Sequence, residues 1–515
     1  MSHYDNQPEE RLHDFRASIA ELFTSALGQD ACLPLGTNTA YAIGGIIPWL
    51  VVKPVTLANV ATALQIAAEH QLAVTPWGGG TQMSLGYPLQ RLDIVISLER
   101  LRRVVTYDTA SLTTVVQAGC TIGSLQQAVS DFNIAIAPAR YFVALDGPLN
   151  DTSTVGGRLA CGTVGLRRGR YGNARDIVQS MLVACSDGSI IRTDDAGMRQ
   201  MTGYDLNNLF VGSLGTLGII VEATLRLSRL PDSEATIITA FTDTADIWNF
   251  LDDLGSADLE SSEIASCGPG CLSTGRGLSA EHANILQPAS HALVMVRLSS
   301  MSSAQIQRQA LLVRALALKY GTQEPVMLRD VAMQELWAEL DDLPATLDLA
   351  PLEAVIKVSV LPSEVGKVIQ VIHALCLEYE LRLGWLADAL TGMLWLRIAG
   401  LRQNERELYN RFSSDPLPLH IAPGDIARSR PAPFSVVSDG DMSRFGQALS
   451  SLQSTLSRRW RSSTVLGCAD SLKPTVDIWG ADLRGLEMLR ALKGRFDAAA
   501  ILNVGRFNNR QPRHI

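Results

Sequence analysis

Short apolar runs alternate with amphipathic segments through the first 230 residues of the chain. Glu9–Leu27 predicts a helix, and Leu50–Lys53 predicts a strand. Thr56 has the side chain of an N-cap, and the apolar positions 57, 60, 61 and 64 after it recur at helical spacing. The other elements predicted here are strands at Leu72–Pro76, Leu92–Ser97, Val104–Tyr107, Leu112–Gln117, Val178–Cys185 and Ile190–Thr193, and a helix near Ile122–Val129. This half is therefore predicted to be a mixed domain of helices and strands.

The pattern changes after residue 230, where strands alternate with longer helices. The strands are predicted at Thr236–Phe241, Ala292–Leu298, Val355–Val360 and Met393–Ile398, and the helices near Ala304–Tyr320, Pro362–Tyr379 and Asn404–Phe412. This order predicts an antiparallel sheet with helices, and we assign the whole chain to the α+β class.

Composition narrows the classes of protein to consider. With 515 residues, of which 47% are hydrophobic and 19% charged, the chain should form two or three domains with large cores. Its net charge of −8 predicts no nucleic-acid partner. The polar N-terminus, MSHYDNQPEERLHDF, has no secretory apolar region, and no apolar run approaches the roughly 18 residues that span a bilayer. We expect a cytoplasmic protein without direct membrane insertion.

The most informative segment is the glycine loop Gly78–Thr81, which directly follows the predicted strand Leu72–Pro76. Glycine adopts positive φ angles and lacks a Cβ atom, so three successive glycines let backbone N–H groups point at one anion. An ordinary glycine-rich turn has the same composition, because glycine clusters are common in loops. The loop alone leaves a phosphate-binding site and a plain turn both open.

Two further glycine-rich blocks and a C-terminal run change that balance. The blocks are GPLNDTSTVGGRLACGTVG at 147–165 and GSLGTLGIIVEATL at 212–225, and the run is ILNVGRF at 501–507. Together with the glycine loop they resemble, in order and spacing, the FAD-binding domain of the PCMH-type flavoproteins, the vanillyl-alcohol oxidase superfamily. The chain is most similar to the FAD-binding subunits of glycolate oxidase, which are related to D-lactate and D-2-hydroxyglutarate dehydrogenases.

The resemblance implies a fold and a division of the chain. It implies an FAD-binding domain of two subdomains, an α+β cap domain that binds substrate, and a C-terminal segment that returns to the flavin domain. The corresponding bounds are an N-terminal helical segment at 1–44, the FAD-binding domain at 45–230, the cap at 231–467 and the returning segment at 468–515.

FAD is the cofactor that the resemblance implies, and the glycine-rich blocks suit it chemically. Backbone amides can bind its diphosphate without a strongly basic cleft, which agrees with the acidic composition. Close packing of strands is an alternative reason for Gly156, Gly157 and Gly218. In the family tail a proline follows the asparagine, whereas Val504 follows Asn503 here. The predicted cofactor-binding residues are Gly78, Gly79, Gly80, Thr81, Thr154, Gly156, Gly157, Gly162, Gly218, Ile220 and Asn503.

The FAD is expected to be bound without a covalent link. Relatives with covalent flavin carry a histidine just after the paired glycines, where this chain has Gly80 and Thr81. Cys161 lies inside the FAD block, and a small buried residue that fills a gap explains it more simply than a flavin thioether.

Two residues are candidates for substrate chemistry. Relatives that act on 2-hydroxy acids place a basic residue in a strand similar to EAVIKVSV, where Lys357 stands, to pair with the substrate carboxylate. The alternative for Lys357 is the solvent face of an edge strand. Asp388 stands where metal-dependent relatives have the histidine of an H-A-G-[DN]-G-type turn, and their later E-H-G segment is also missing, so no metal site is predicted.

Two functions remain open at this point. In the first, the chain is an FAD-dependent oxidoreductase that oxidises a small 2-hydroxy acid of the glycolate or D-lactate kind. In the second, it is a non-catalytic flavin-binding or electron-transfer subunit, and a sister subunit performs the substrate chemistry. The resemblance allows sister subunits that carry flavin and iron–sulfur clusters, and any membrane association would then be through those partners.

Overall fold

The computed structural model describes residues 7–507 apart from 35, 37, 136–139, 194–204, 258, 260, 269–270, 272–291, 348, 403–436, 461 and 481–484. The predicted helix Asn404–Phe412 lies outside the described residues. Residues 7–230 contain α1 Gln7–Leu27, β1 Leu50–Val52, α2 Leu57–Glu69, β2 Val74–Trp77, β3 Ile94–Ser97, β4 Val104–Asp108, β5 Thr113–Gln117, α3 Ile122–Ala135, β6 Tyr141–Phe142, α4 Val155–Cys161, α5 Arg168–Tyr171, α6 Ala174–Ile177, β7 Val178–Ala184, β8 Ile190–Arg192, α7 Asn207–Phe210, β9 Ile219–Arg226 and β10 Ser228–Arg229.

This first part is built on two sheets that share one hydrophobic core. Strands β1, β3 and β2 form a parallel sheet in that order, and β4, β5, β9, β7 and β8 form an antiparallel sheet. Thr56 caps α2 as the sequence predicts, because its hydroxyl oxygen accepts a hydrogen bond of 3.1 Å from the Asn59 N–H. The apolar face of α2, with Val60 and Leu64, is fully buried in the shared core.

The second part is a large antiparallel sheet with helices. Its elements are β11 Ser233–Phe241, α8 Thr244–Gly255, β12 Ser261–Cys267, β13 Ala292–Ser300, α9 Ser303–Lys319, β14 Val326–Leu328, α10 Asp330–Asp342, β15 Glu353–Ser359, α11 Val365–Glu378, β16 Leu381–Asp388, β17 Met393–Gly400, α12 Asp439–Trp460 and β18 Ser463–Cys468. The eight strands run in the order β14-β11-β13-β12-β16-β17-β15-β18. Four of them, β12, β14, β16 and β18, were not among the predicted strands.

The two faces of the large sheet have different partners. One face packs against α8, α9, α11 and α12 in a single apolar cluster. The other face packs against α10 and against Leu166, which belongs to the first part of the chain. The sheet therefore presents this second face towards the first part of the chain.

Ion pairs and a hydrogen bond also join the two parts of the chain. The Arg167 side chain lies 3.2 Å from Glu263 on β12, and the Leu149 N–H donates a 2.6 Å hydrogen bond to Asp342 at the end of α10. Arg297 on β13 completes the group, since its guanidinium lies 3.0 Å from the Glu263 carboxylate. These bonds fix α10 and β12 against the flavin domain.

The C-terminal segment returns to the first part of the chain after α13 Leu486–Phe496. Ile501 and Leu502 are buried in the core of the flavin domain, and Leu502 pairs with Val74 of β2 in a parallel bridge. Lys493 on α13 reinforces this contact, because its ammonium donates to the carbonyl oxygens of Thr216 at 2.7 Å and Leu502 at 2.8 Å. The fold thus has the returning tail that the resemblance implies.

Candidate active site

The glycine loop follows β2 and packs against the loop that leads into α4. A Cβ atom added to Gly79 would collide with the carbonyl oxygen of Thr152, and one added to Gly78 would collide with the Thr154 hydroxyl. Gly80 has a φ of 71°, a backbone conformation that residues other than glycine rarely adopt. The Thr81 and Ser153 hydroxyls then join the two loops with a 3.0 Å hydrogen bond. Glycine is therefore required here by backbone proximity.

The opposite wall is the start of α4. Thr154 is its N-cap, and its hydroxyl oxygen accepts a 3.2 Å hydrogen bond from the Gly157 N–H. Gly156 lies directly over Ala118, since an added Cβ atom would come within 2.7 Å of the alanine methyl group. Close packing against Ala118 therefore accounts for a glycine at position 156. The same residue also lines the space between the two loops.

These two walls bound a cleft of about 820 Å³, which we call the flavin cleft. Every residue predicted to bind the cofactor lines it except Gly162, which ends α4 in a left-handed conformation and lines a neighbouring cavity. The lining residues from the predicted set are Gly78, Gly79, Gly80, Thr81, Thr154, Gly156, Gly157, Gly218, Ile220 and Asn503. The sequence-distant motifs are thus brought to one place.

A polar group that lines the flavin cleft lacks a partner within the described residues. The Asn503 side chain donates a 2.6 Å hydrogen bond to the Leu214 carbonyl oxygen, but its own oxygen is buried and accepts none. Since unpaired buried polar groups are costly, this oxygen fits a polar ligand that fills the cleft, as FAD would.

Asn503 keeps its place although Val504 replaces the family's proline. Its N–H donates a 2.8 Å hydrogen bond to the Val74 carbonyl oxygen, and its φ of 44° lies in the left-handed region that asparagine tolerates. The tail is therefore held by hydrogen bonds to β2 and by Lys493.

Two buried cations near the flavin cleft were not among the sequence candidates. Arg506 lines the cleft and is 4% exposed, and burial lowers its pKa, while the Asp470 carboxylate and the Cys161 thiol act in the opposite direction. Lys473 is 1% exposed, and its ammonium lies 2.6 Å from Asp470 and donates to the Ser84 carbonyl oxygen at 2.7 Å. The ILNVGR run contained the signal for Arg506, whereas Lys473 carried none.

A smaller cavity adjoins the flavin cleft, and we call it the side cavity. The two spaces share Gln82, Leu85 and Cys161. Burial raises the pKa of the Cys161 thiol to about 11, so the thiol is protonated at neutral pH. A ligand in the side cavity would lie next to whatever fills the flavin cleft.

Lys357 lines the side cavity from the cap. It lies on β15, between β17 and β18, so it is on an interior strand and not on the edge strand considered as its alternative. No hydrogen bond or ion pair of its ammonium is found among the described residues. Burial lowers the pKa of Lys357, and the positive charge of Arg168 lowers it further. Lys357 is half-buried, and a cation that is partly removed from water favours an anion as its partner.

Asp388 has a different place. It ends β16, and its carboxylate accepts a 3.0 Å hydrogen bond from the Leu390 N–H and another from the Thr391 hydroxyl. It is 1% exposed, and burial raises its pKa to about 6. Asp388 is not among the described residues that line the flavin cleft or the side cavity. It holds the turn to β17, and we do not carry it into the proposed site.

The described residues contain neither a metal-binding cluster nor a membrane-spanning helix. No group of three or more His, Cys, Asp or Glu residues in the described part of the chain is placed to hold a metal ion. Within the same residues, no helix combines the length and the apolar character needed to cross a membrane.

Family models match both halves of the chain. The model described as "FAD binding domain" matches residues 48–194, and the one described as "FAD linked oxidases, C-terminal domain" matches residues 230–415. The chain belongs to the PCMH-type FAD flavoproteins. FAD is accordingly its cofactor, and the flavin cleft is where the structure offers room and polar partners for it.

Relatives and solved structures agree with this family. The flavoprotein is 31% identical to D-2-hydroxyglutarate dehydrogenase of Xanthomonas citri over 38% of its own length and 39% of the relative's. It is 31% identical to glycolate oxidase subunit GlcD of Bacillus subtilis over 38% of its length and 40% of that subunit's. Each alignment thus spans about two fifths of these curated relatives.

The fold itself extends over almost the whole flavoprotein. Substrate-bound p-cresol methylhydroxylase superposes with a TM-score of 0.66 at 15% identity, covering 96% of this chain and 98% of that one. The isoeugenol complex of 4-ethylphenol oxidase from Gulosibacter chungangensis gives a TM-score of 0.65 at 14% identity, with the same coverage. The predicted α+β fold, with its flavin domain and cap, is confirmed.

Proposed function

We propose that this flavoprotein oxidises a small 2-hydroxy acid to the corresponding 2-oxo acid. FAD, which the residues of the flavin cleft would hold without a covalent link, would supply the hydride acceptor for the substrate α-carbon, and protein groups would take the proton from the oxygen of the α-hydroxyl group. Lys357 pairs with the substrate carboxylate in the side cavity. Relatives named D-2-hydroxyglutarate dehydrogenase, D-lactate dehydrogenase and glycolate oxidase subunit support this class of substrate.

The observation that carries the proposal is the half-buried Lys357 ammonium, which lines the side cavity beside the flavin cleft and has no ion-pair partner among the described residues. A charge removed from water without a partner is costly, and a carboxylate placed against it offsets that cost. Because the side cavity shares Gln82 and Cys161 with the flavin cleft, a carboxylate held by Lys357 would place its α-carbon towards the cofactor. Binding and orientation are thus assigned to the same residue.

Anaerobic mixing of the FAD-loaded protein with glycolate or D-lactate tests the proposal. The native protein should lose its yellow flavin absorbance. For Lys357→Met we expect kcat/KM to fall about 150- to 5000-fold, mainly through KM, since losing one partner of a charge pair that the bound substrate buries costs about 3–5 kcal/mol. Lys367→Met is the matched control, because Lys367 is exposed on α11 of the same domain.

Native flavin that stays oxidised with every 2-hydroxy acid tried would contradict the proposal. It would favour the second candidate, a non-catalytic flavin or electron-transfer subunit, which is considered because one relative is named as a subunit of glycolate oxidase. Sister subunits with flavin or iron–sulfur clusters would then perform the substrate chemistry and carry any association with a membrane. Reduction by the isolated chain would exclude that second candidate.

A further inference from the structure

The side cavity offers Lys357 to one carboxylate, and the residues around Lys357 restrict which groups can be attached to that carboxylate. Of the described residues that line it, Lys357 alone carries a charge at neutral pH. The walls on the cap side come from four separate segments of the chain: β15, which carries Lys357, β17, β18 and the loop after α10.

Apolar side chains surround the lysine. Trp395 on β17 pairs directly with Lys357 across the sheet, and residues paired in this way project from the same face. Leu466 on β18 lines the cavity from the other side of Lys357, and Leu85 and Val164 line it from the flavin domain. A ligand whose carboxylate reaches Lys357 therefore has its remaining carbons against apolar surface.

The neutral polar groups of the cavity are few and partly engaged. The Thr163 hydroxyl donates a 2.7 Å hydrogen bond to the Gln82 side-chain oxygen, so these two residues partly satisfy each other. Thr346 adds one hydroxyl from the loop after α10. Hydroxyl and amide groups of this kind can bind the substrate hydroxyl, but they cannot neutralise a second carboxylate.

In the part of the chain that the structure describes, the other cations around the cavity are paired or lie outside its lining. Arg397, two residues from Trp395, lies 3.2 Å from the Glu353 carboxylate. Arg167 is paired with Glu263 at 3.2 Å. Arg168 is near enough to lower the pKa of Lys357, but it is not among the lining residues. Among the described residues, a second carboxylate in the side cavity would thus find no lining cation of its own, and proteins avoid burying a charge in that condition.

We propose that the substrate of this site is a 2-hydroxy monocarboxylic acid with an apolar side chain, and not a 2-hydroxy dicarboxylic acid. This inference rests on the proposed function and specifies its substrate class. Each buried CH₂ group of the side chain should improve kcat/KM by about fourfold until the cavity is full. An unpaired distal carboxylate should lower kcat/KM by about 100-fold relative to an uncharged group of the same shape.

The test uses two acids of nearly the same shape. In 2-hydroxy-5-methylhexanoate an isopropyl group stands where 2-hydroxyglutarate has its distal carboxylate. Reduction of the flavin in the FAD-loaded native protein is followed with each acid, supplied as separate enantiomers, with glycolate and lactate alongside. The methylhexanoate should give the highest kcat/KM of the four, about 100-fold above that of 2-hydroxyglutarate.

A binding measurement and a variant accompany the kinetics. The corresponding 2-oxo acids are titrated against the oxidised protein by their perturbation of the flavin spectrum, which needs no turnover, and the methyl-oxohexanoate should bind more tightly than 2-oxoglutarate. Thr346→Arg adds a cation to the wall and should raise the relative kcat/KM for 2-hydroxyglutarate at least tenfold, whereas Thr346→Gln, of similar size and no charge, should not.

The outcomes separate the two claims. If 2-hydroxyglutarate reduces the flavin as well as or better than its uncharged counterpart, the substrate class is wrong and the proposed function stands. If none of the four acids reduces the flavin, the proposed function itself fails. Equal binding of the two 2-oxo acids would also overturn the substrate class, whatever the variant Thr346→Arg does.

Discussion

Gly79→Ala provides a sharp test of the flavin cleft, because the added methyl group has no space. Gly79 does not have a positive φ, so alanine is compatible with its backbone conformation. The new Cβ atom would collide with the backbone carbonyl oxygen of Thr152, and real Cβ atoms essentially never come within 3.0 Å of such an atom. The glycine loop and the loop before α4 would have to separate.

The expected loss follows from that separation. Overpacking of this kind costs about 1–3 kcal/mol. If the strain is relieved by displacing the glycine loop, the Kd for FAD should rise by about 5- to 150-fold. The assay is titration of apoprotein with FAD, followed by flavin fluorescence, with a thermal unfolding curve for each protein. Gly494→Ala is the control, because Gly494 is exposed on α13 and an added Cβ atom meets nothing within 4 Å. Native affinity for FAD in a normally folded Gly79→Ala protein would refute the reasoning.

Two further predictions concern stability. Burial raises the pKa of Asp388 to about 6 from an ordinary value of 3.8, so the folded state binds the proton more tightly and ionisation opposes folding as pH rises. The shift of about two pKa units corresponds to about 3 kcal/mol, at about 1.4 kcal/mol per unit. In urea unfolding, the free energy of unfolding of Asp388→Asn relative to native should therefore rise by about 3 kcal/mol between about pH 4 and pH 7 and then stay constant. A difference that does not change with pH would contradict this. Lys493→Met leaves the buried Asp497 carboxylate without its cation, and should cost about 3 kcal/mol in the same assay and weaken FAD binding. Unchanged FAD affinity in that variant would show that docking of the tail does not shape the cleft.

The parts of the site that the sequence predicted depend on local constraints. Gly78–Thr81 could be recognised because two backbone segments approach too closely for any side chain, and such a contact requires glycine in the sequence itself. Lys357 was proposed because relatives place a basic residue in a similar strand, and its position on an apolar strand agreed with that resemblance. The family resemblance then ordered these local signals into one cofactor site.

What could not be predicted depends on long-range pairing. The side cavity joins Gln82, Thr346 and Trp395, and only the strand order of the cap brings them together. Strand β12, SSEIASC, is rich in small polar residues and gives a weak periodic signal, so its position in the sheet comes from pairing with β13 and β16. Asp388 was selected by its alignment with a histidine, whereas its hydrogen bonds are those of a turn residue.

The most direct test of the central claim is a crystal structure of the FAD-bound protein with a non-reacting 2-oxo acid. The account predicts that FAD fills the flavin cleft, that the 2-oxo acid lies in the side cavity, and that one of its carboxylate oxygens is about 2.8 Å from the Lys357 ammonium. A 2-oxo acid bound elsewhere, with Lys357 still unpaired, would contradict it.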